Sequence, residues 1–321
     1  MPTIKIVPNE GQKKVDVLVD GKLFTSYIYP NEIKKPVLWP VVSPGGNEVT
    51  RNFPLKNKAG ERVDHPHHVG IWLNYGDVNG LDFWNNSDAI APEKLDKYGT
   101  IRHKKIKKSK SAEGEGLLIT TADWNDNSGN KLLDEVTSFK FSATDKVRVI
   151  ERETTLTAKS GKVTFTDNKE GMFAIRVTRE LELPVNKSME LSDSHGKITK
   201  VASPDNSNVT GNYLSSEGIE GEEVWGTRAK WMKLSGKMNG EKVAIVIFDD
   251  KDNVGYPTYW HARSYGLFAA NTLGQKIFSD GKKELNFSLN KGESVTFKYR
   301  LAVFSGDPSP NEIESLEKSF K

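Results

Sequence analysis

The chain has 321 residues, no cysteine, and 46 Lys plus Arg against 43 Asp plus Glu, a formal net charge of +3. Disulfides, thiolate metal sites, iron–sulfur clusters and cysteine nucleophiles are excluded, and so balanced a charge leaves no footprint for nucleic acid or an anionic membrane. No run approaches the roughly 18 apolar residues of a membrane span, and the mean hydropathy is −0.57.

Short runs of alternating apolar and polar residues follow one another along the chain. They fall at 14–20, 135–143, 146–158, 161–167, 242–250, 283–289 and 294–304. They are rich in Val, Ile, Thr and Phe and bounded by Gly, Asn, Asp or Ser, so each reads as a strand. Asp20-Gly21, Asn79-Gly80 and Asn239-Gly240 are hairpin dipeptides. A weak helical pattern lies at 88–97. The lysine-rich stretch 103–110 has no interleaved aromatic residues and reads as a solvated strand edge. A helix is expected over 310–321, opened by Ser309 as N-cap, Pro310 at the first position and Glu312 completing a capping box. No internal repeat or long linker interrupts the chain. The expectation is all-β: one domain over 1–321, a large, mostly antiparallel β-sandwich with a short C-terminal helix.

Three segments are dense in groups that titrate, hydrogen-bond or stack. The first spans 64–86 and holds three of the six histidines, His65, His67 and His68. An extended His65-Pro66-His67 would turn both imidazoles to one face. Such a pair can contact one ligand or share a metal. Asp82 and Trp84 share strand parity, a carboxylate beside a ring that would suit a sugar, with Asn79 nearby. The alternative is a structural histidine corner and a core Trp84. In the second segment, 165–181, Phe173, Ile175 and Val177 form an apolar face. Glu170 and Arg176 take the other face, and with Lys169 they form either an acid–base and anion-binding set or a solvated ion network. In the third, 252–274, Tyr259, His261 and Arg263 share parity, and Asn271 follows the apolar run GLFAA. An exposed His261–Arg263 pair would hold a substrate oxygen, whereas a buried His261 would be structural. No GxSxG, HExxH, P-loop or dinucleotide-binding motif is present.

The strings DHPHHVGIW, GDVNGLDFW, DNKEGMFAIRV, WGTRAKWM and YPTYWHARSYGLFAAN resemble, in order and over roughly residues 40–305, a bacterial family often labelled "methane oxygenase PmoA" or left without a function. Asn168 stands where that family commonly has Thr, and Val69 where it often has Arg. A methane monooxygenase subunit needs apolar spans that this chain lacks, so the label reads as a misnomer. The resemblance implies a relative of the galactose-mutarotase-like supersandwich, whose members bind sugars using histidines and carboxylates. It implies a small carbohydrate as partner and a carbohydrate-active enzyme moving a proton on a sugar or oxidised sugar, as an epimerase or lyase does. His65, His67, His68, Glu170 and His261 are the catalytic candidates. Asn79, Asp82, Trp84, Lys169, Arg176, Arg263 and Asn271 are the substrate-binding candidates. Two alternatives stand beside it: a non-catalytic glycan-binding protein, and a metal-dependent enzyme with His65, His67 and His261 as ligands to a divalent metal, the one cofactor these donors would suit. Export to the periplasm or beyond is expected after removal of a leader, and a cytoplasmic location if no leader was removed.

Overall fold

The computed structural model describes residues 1–319. Two antiparallel sheets dominate it. The larger has nine strands in the spatial order Tyr259–Ala262, Leu267–Asn271, Gly171–Arg176, Ile71–Tyr75, Val37–Val41, Lys22–Ile28, Lys14–Val19, Thr3–Asn9 and Ala112–Glu113. The second has eight: Asn212–Ser215, Trp231–Met238, Glu241–Asp249, Ser294–Ser305, Val147–Ala158, Lys131–Ala143, Glu115–Asn125 and Thr100–Lys110. This is the expected mostly antiparallel β-sandwich.

Alternation explains the packing. Val243, Ile245 and Ile247 of one sheet meet Ile71, Leu73, Phe173, Ile175, Trp260 and Phe268 of the other in the main core. Their neighbours in sequence turn outward. On the eight-stranded sheet, Val246, Phe248, Ala302, Val149 and Trp231 are covered by Ile313 of the C-terminal helix, Pro310–Glu317. That helix carries the expected capping box between Ser309 and Glu312; the last two residues of the expected span lie outside the described residues. On the nine-stranded sheet, the outward residues Trp72, Ala174, Leu267 and Ala269 form a separate cluster with Val37, Val69 and Trp84. The candidate site is built on this second outer face.

The three hairpin dipeptides adopt paired positive φ values: 48° and 80° at Asp20-Gly21, 53° and 80° at Asn79-Gly80, 51° and 81° at Asn239-Gly240. That geometry matches the twist of the flanking strands. The lysine-rich stretch lies on Thr100–Lys110, the edge strand of the second sheet, where Lys opposes edge-to-edge pairing. Other boundaries differ from expectation. The run at 161–167 pairs only over Val163–Phe165 and that at 283–289 only over Phe287–Leu289. The weak helix at 88–97 is a 3-10 helix over Pro92–Lys97, with Pro92 at its start.

Candidate functional site

Strand register sets the floor of the site. His261 pairs with Ala269, Ala269 with Ala174, and Ala174 with Trp72, so these four side chains form one row across four strands. Three strand spacings separate His261 from Trp72, about 14 Å. The two alanines between them are fully buried in the apolar cluster on that face, and a row away Arg176 lies opposite Leu267.

The segment 64–68 folds over this floor as a turn, not as the extended strand expected from Pro66. His68 N donates to the His65 carbonyl at 2.9 Å, placing Pro66 and His67 at the corner, where the fixed φ of proline is favourable. His65 itself has φ +44°, a left-handed conformation costing an L residue about 1–2 kcal/mol. Arg51 holds it there. Its Nη2 donates to the carbonyls of His65 at 2.8 Å and His68 at 3.0 Å, and its Nη1 to the Asp64 carbonyl at 2.6 Å. The turn therefore presents its three imidazoles to different neighbours. The rings of His65, His68 and Tyr265 lie parallel and mutually offset, His65 at 4.9 Å from His68 and 5.0 Å from Tyr265, while His67 meets His68 edge-on at 4.3 Å.

Asp64 is the electrostatic hub beneath the turn. Its Oδ1 accepts from Arg176 Nη2 at 2.6 Å and Arg51 Nη1 at 2.9 Å, and lies 3.3 Å from His65 Nδ1. Burial opposes its charge, but His65, Arg176 and Arg51 outweigh burial and hold the carboxyl below its ordinary range. Arg176 is fully buried and also faces His68 Nδ1 at 3.2 Å. A guanidinium only donates, so His68 accepts at Nδ1 and carries its proton on Nε2. Burial, followed by the charges of His67 and Arg176, keeps that imidazole neutral well below the usual histidine range. Arg62 and Glu182, paired at 3.0 Å, close the network, with Glu182 raised by its burial.

The second group surrounds His261, 3% exposed. Its Nδ1 donates to the Lys169 carbonyl at 3.0 Å, leaving Nε2 as a lone-pair acceptor. Burial and the charges of Lys169 and Arg263 lower it to about 3. Glu170 Oε2 lies 3.8 Å from the same Nδ1, while its other oxygen takes the ammonium of Lys169. Arg263, exposed at the strand end, lies 5.6 Å from the Trp225 ring and 5.9 Å from the Tyr265 ring. Tyr265 joins the two groups: it stacks on His65, lies 5.0 Å from the Arg176 guanidinium and feels the charge of Glu170. His65, His67, His68, Glu170, Lys169, Arg176, His261 and Arg263 thus share one face of one sheet.

Several expectations change. Asn79 lies away from this face, its side chain spent on Lys162 and Thr164 backbone in a hairpin. Asp82 closes its own loop, accepting from Trp84 N, Asn85 N and the Asn85 side chain. Trp84 is fully buried against Trp72 at 5.3 Å, so its face is not open to a sugar. Asn271 donates to the carbonyls of Asn168 and Lys169 and accepts from Leu273 N and Gly274 N, which fixes the 168–170 turn and leaves nothing for a ligand. The expected exposed His261–Arg263 pair is split: His261 is buried and only Arg263 is open. Among the described residues, no three of His, Asp and Glu are grouped to hold a metal ion, so the metal alternative has no donor set. Sequence reasoning passed over Arg51, Asp64, Glu182 and Tyr265. Asp64 and Tyr265 stand inside the dense segments, and that adjacency was the one available signal.

A family model matches residues 14–318. The chain belongs to a family of unknown function, DUF6807. That description does not mention a methane oxygenase, and every site residue named above lies within the matched span. No curated protein matches. Among solved structures, the chain is similar to the galactosidase domain of alpha-galactosidase-sucrose kinase, AgaSK, at 9% identity and a TM-score of 0.45, covering 94% of this chain and 42% of that one. It is also similar to a putative aldose 1-epimerase from Escherichia coli K12, at 10% identity and a TM-score of 0.31, covering 95% and 100%. A galactose mutarotase related enzyme from Lactobacillus acidophilus aligns at 9% identity and a TM-score of 0.30, covering 94% and 97%. Likenesses this distant say nothing about chemistry.

Proposed function

We propose that the outer face of the nine-stranded sheet binds a small carbohydrate, neutral or oxidised, and moves a proton on it. The observation that carries this reading is the set His261, Glu170 and Lys169 on the same face as His65, Tyr265 and Arg263. Its polar groups are of the kinds a sugar needs. Lys169 and Arg263 offer cationic donors to hydroxyl or carboxylate oxygens, Glu170 offers an acceptor, and Tyr265 and His65 offer ring edges. His261 is the proton acceptor. Its Nε2 lone pair is available throughout the neutral range, and the Glu170 carboxylate stabilises the imidazolium formed when it takes a proton. Asp64, Arg51 and Arg176 are positioning residues: they set the turn that carries His65 and the tautomer of His68.

The low basicity of His261 favours a second reading, a glycan-binding protein that uses the same groups without turnover. Calorimetric titration with a panel of neutral sugars, uronic acids and aldonic acids tests what both readings share. We expect saturable binding that Arg263→Gln and Lys169→Gln weaken, more for the acidic sugars than the neutral ones. Binding that neither substitution alters would place the ligand elsewhere.

A further inference from the structure

Of the seven tryptophans, six pack into one of the three apolar clusters of the fold: Trp124 and Trp260 between the sheets, Trp72, Trp84 and Trp39 on the outer face of the nine-stranded sheet, and Trp231 beneath the C-terminal helix. Trp225, the first residue of the WGTRAKWM string, belongs to none of them. Its ring is partly exposed, yet its indole nitrogen is buried, so the open part of the ring is carbon. A single half-open ring is ordinary; what sets this one apart is where it stands. A short 3-10 helix, Gly221–Val224, ends at Trp225. Gly226 then takes φ +73°, a conformation open to glycine without a Cβ penalty, and the chain turns to run beside the strand Tyr259–Ala262. Gly226 N donates to the Trp260 carbonyl at 2.9 Å, and Trp260 N to the Thr227 carbonyl at 3.0 Å. Arg228 fixes this edge by donating to the carbonyls of Gly255, Tyr256 and Pro257. Trp225 is thereby placed beside the strand that carries His261.

Ring contacts tie Trp225 to the candidate site. Phe278 meets it edge-on at 5.4 Å and lies 6.0 Å from His261, while stacking on Tyr259 at 5.5 Å. On the other side, the exposed Arg263 guanidinium lies 5.6 Å from the Trp225 ring and 5.9 Å from that of Tyr265. An open carbon surface therefore borders a free-standing cluster of donors and the buried imidazole. A sugar ring has the complementary make-up: hydroxyl oxygens at its rim and C–H bonds on its faces, which an aromatic ring covers well. We propose that Trp225 is the platform on which one face of a pyranose ring stacks, with Arg263 donating to an oxygen of the same ring. The stacking depends on a sugar occupying this face, as proposed from His261 and Glu170. It gives the site the aromatic surface that the buried Trp84 cannot supply, and it selects cyclic sugars over open-chain ones.

The test is calorimetric titration of the full chain at neutral pH with methyl β-glucoside, methyl β-galactoside, glucuronate and gluconate. Glucuronate and gluconate both carry a carboxylate, but gluconate is open-chain and has no ring face to stack. Trp225→Ala should weaken the cyclic sugars about tenfold or more, since the covering ring is lost, and should change gluconate affinity little. Trp225→Phe, which keeps an aromatic face, should recover most of the loss. Cyclic sugars should also shift the tryptophan emission of wild type and leave that of Trp225→Phe unshifted, because the other six rings sit in the apolar clusters. Trp225→Ala should unfold close to the wild-type midpoint; if it does not fold, Trp225→Phe and the emission shift decide. Cyclic-sugar affinity unchanged in Trp225→Ala, or an emission shift retained in Trp225→Phe, overturns the platform and leaves a sugar site on this face standing. Equal losses for glucuronate and gluconate, or binding of gluconate alone, overturn it as well. No binding of any of the four by wild type overturns both the platform and the sugar site.

Discussion

Arg176 meets Nδ1 of His68 at 3.2 Å, and because the guanidinium has no lone pair, it fixes the imidazole as the neutral Nε2–H tautomer. The consequence is a pH dependence of stability. Above the ordinary histidine range the folded and unfolded chains both hold His68 and His261 neutral. Below about 6.5 the unfolded chain takes up protons that the folded chain refuses, so acidification removes stability by up to about 1.4 kcal/mol per group per pH unit. For His261 this continues down to about 3. Asp249, raised by burial to about 7, acts in the opposite sense, because the folded chain keeps a proton there that the unfolded chain releases. His67 and His103, lowered mainly by burial to about 2 and about 4, add to the histidine side. Urea titrations between about pH 4.5 and 7.5 should show stability falling with acidification, and His68→Gln should reduce the slope by about one proton. An unchanged slope in that variant would mean His68 titrates normally in the fold.

Removing Arg176 should be costly. It is fully buried, and its loss strips Asp64 of its 2.6 Å partner and leaves Glu182 with one cation fewer. Arg176→Met should lower unfolding free energy by about 3–5 kcal/mol, the usual result of stranding buried charge. Arg176→Lys should recover little of this, since one ammonium cannot serve Asp64 and His68 in the fork geometry. A loss below about 1 kcal/mol in denaturant titration would show that the network carries no such burden.

Trp84→Ala should act on stability before it acts on any ligand. The ring is fully buried among Trp72, Val37, Val69 and His68, so truncation should cost about 3–5 kcal/mol. Trp84→Phe should cost less, because it keeps most of the ring volume. If sugar affinity fell in Trp84→Phe while the unfolding midpoint held, the ring would have to reach the ligand.

Much of the sandwich was legible because strands with one solvated face alternate, as Lys14–Val19 and Val147–Ala158 do. The site's strands are harder to read. Leu267–Asn271 and Gly171–Arg176 are buried on both faces, so their parity shows only once the partner register is known. The histidine cluster was visible as a cluster, but its shape was not. Pro66 is compatible with an extended segment or a turn corner, and Arg51, which decides between them, is joined only by tertiary bonds. Asp64 was equally hidden, since Arg51 and Arg176 lie 13 and 112 residues away in sequence. Trp84 and Asn271 misled for one reason: parity names a face, but not whether that face is covered.

If His261 and Glu170 move a proton, their loss should appear in the rate and not in the affinity. His261→Ala and Glu170→Gln should each lower kcat by about 10²–10⁴-fold while Kd changes little, because a proton-transfer group acts mainly in the transition state. Arg263→Gln should do the reverse. Single-turnover kinetics beside calorimetry, on variants shown to be folded, separates the two. Full turnover in both His261→Ala and Glu170→Gln at saturating sugar would remove them from the chemistry.

If this face moves a proton on a sugar, solvent isotope exchange will record it. Wild-type protein is incubated in deuterated water with the neutral and oxidised sugars that bind, and the sugars are read by mass spectrometry and NMR. Deuterium is expected at one carbon, or in a new isomer carrying it, formed by wild type and strongly slowed in His261→Ala. Sugars that bind but gain no deuterium and yield no new product would contradict it and leave a glycan-binding protein.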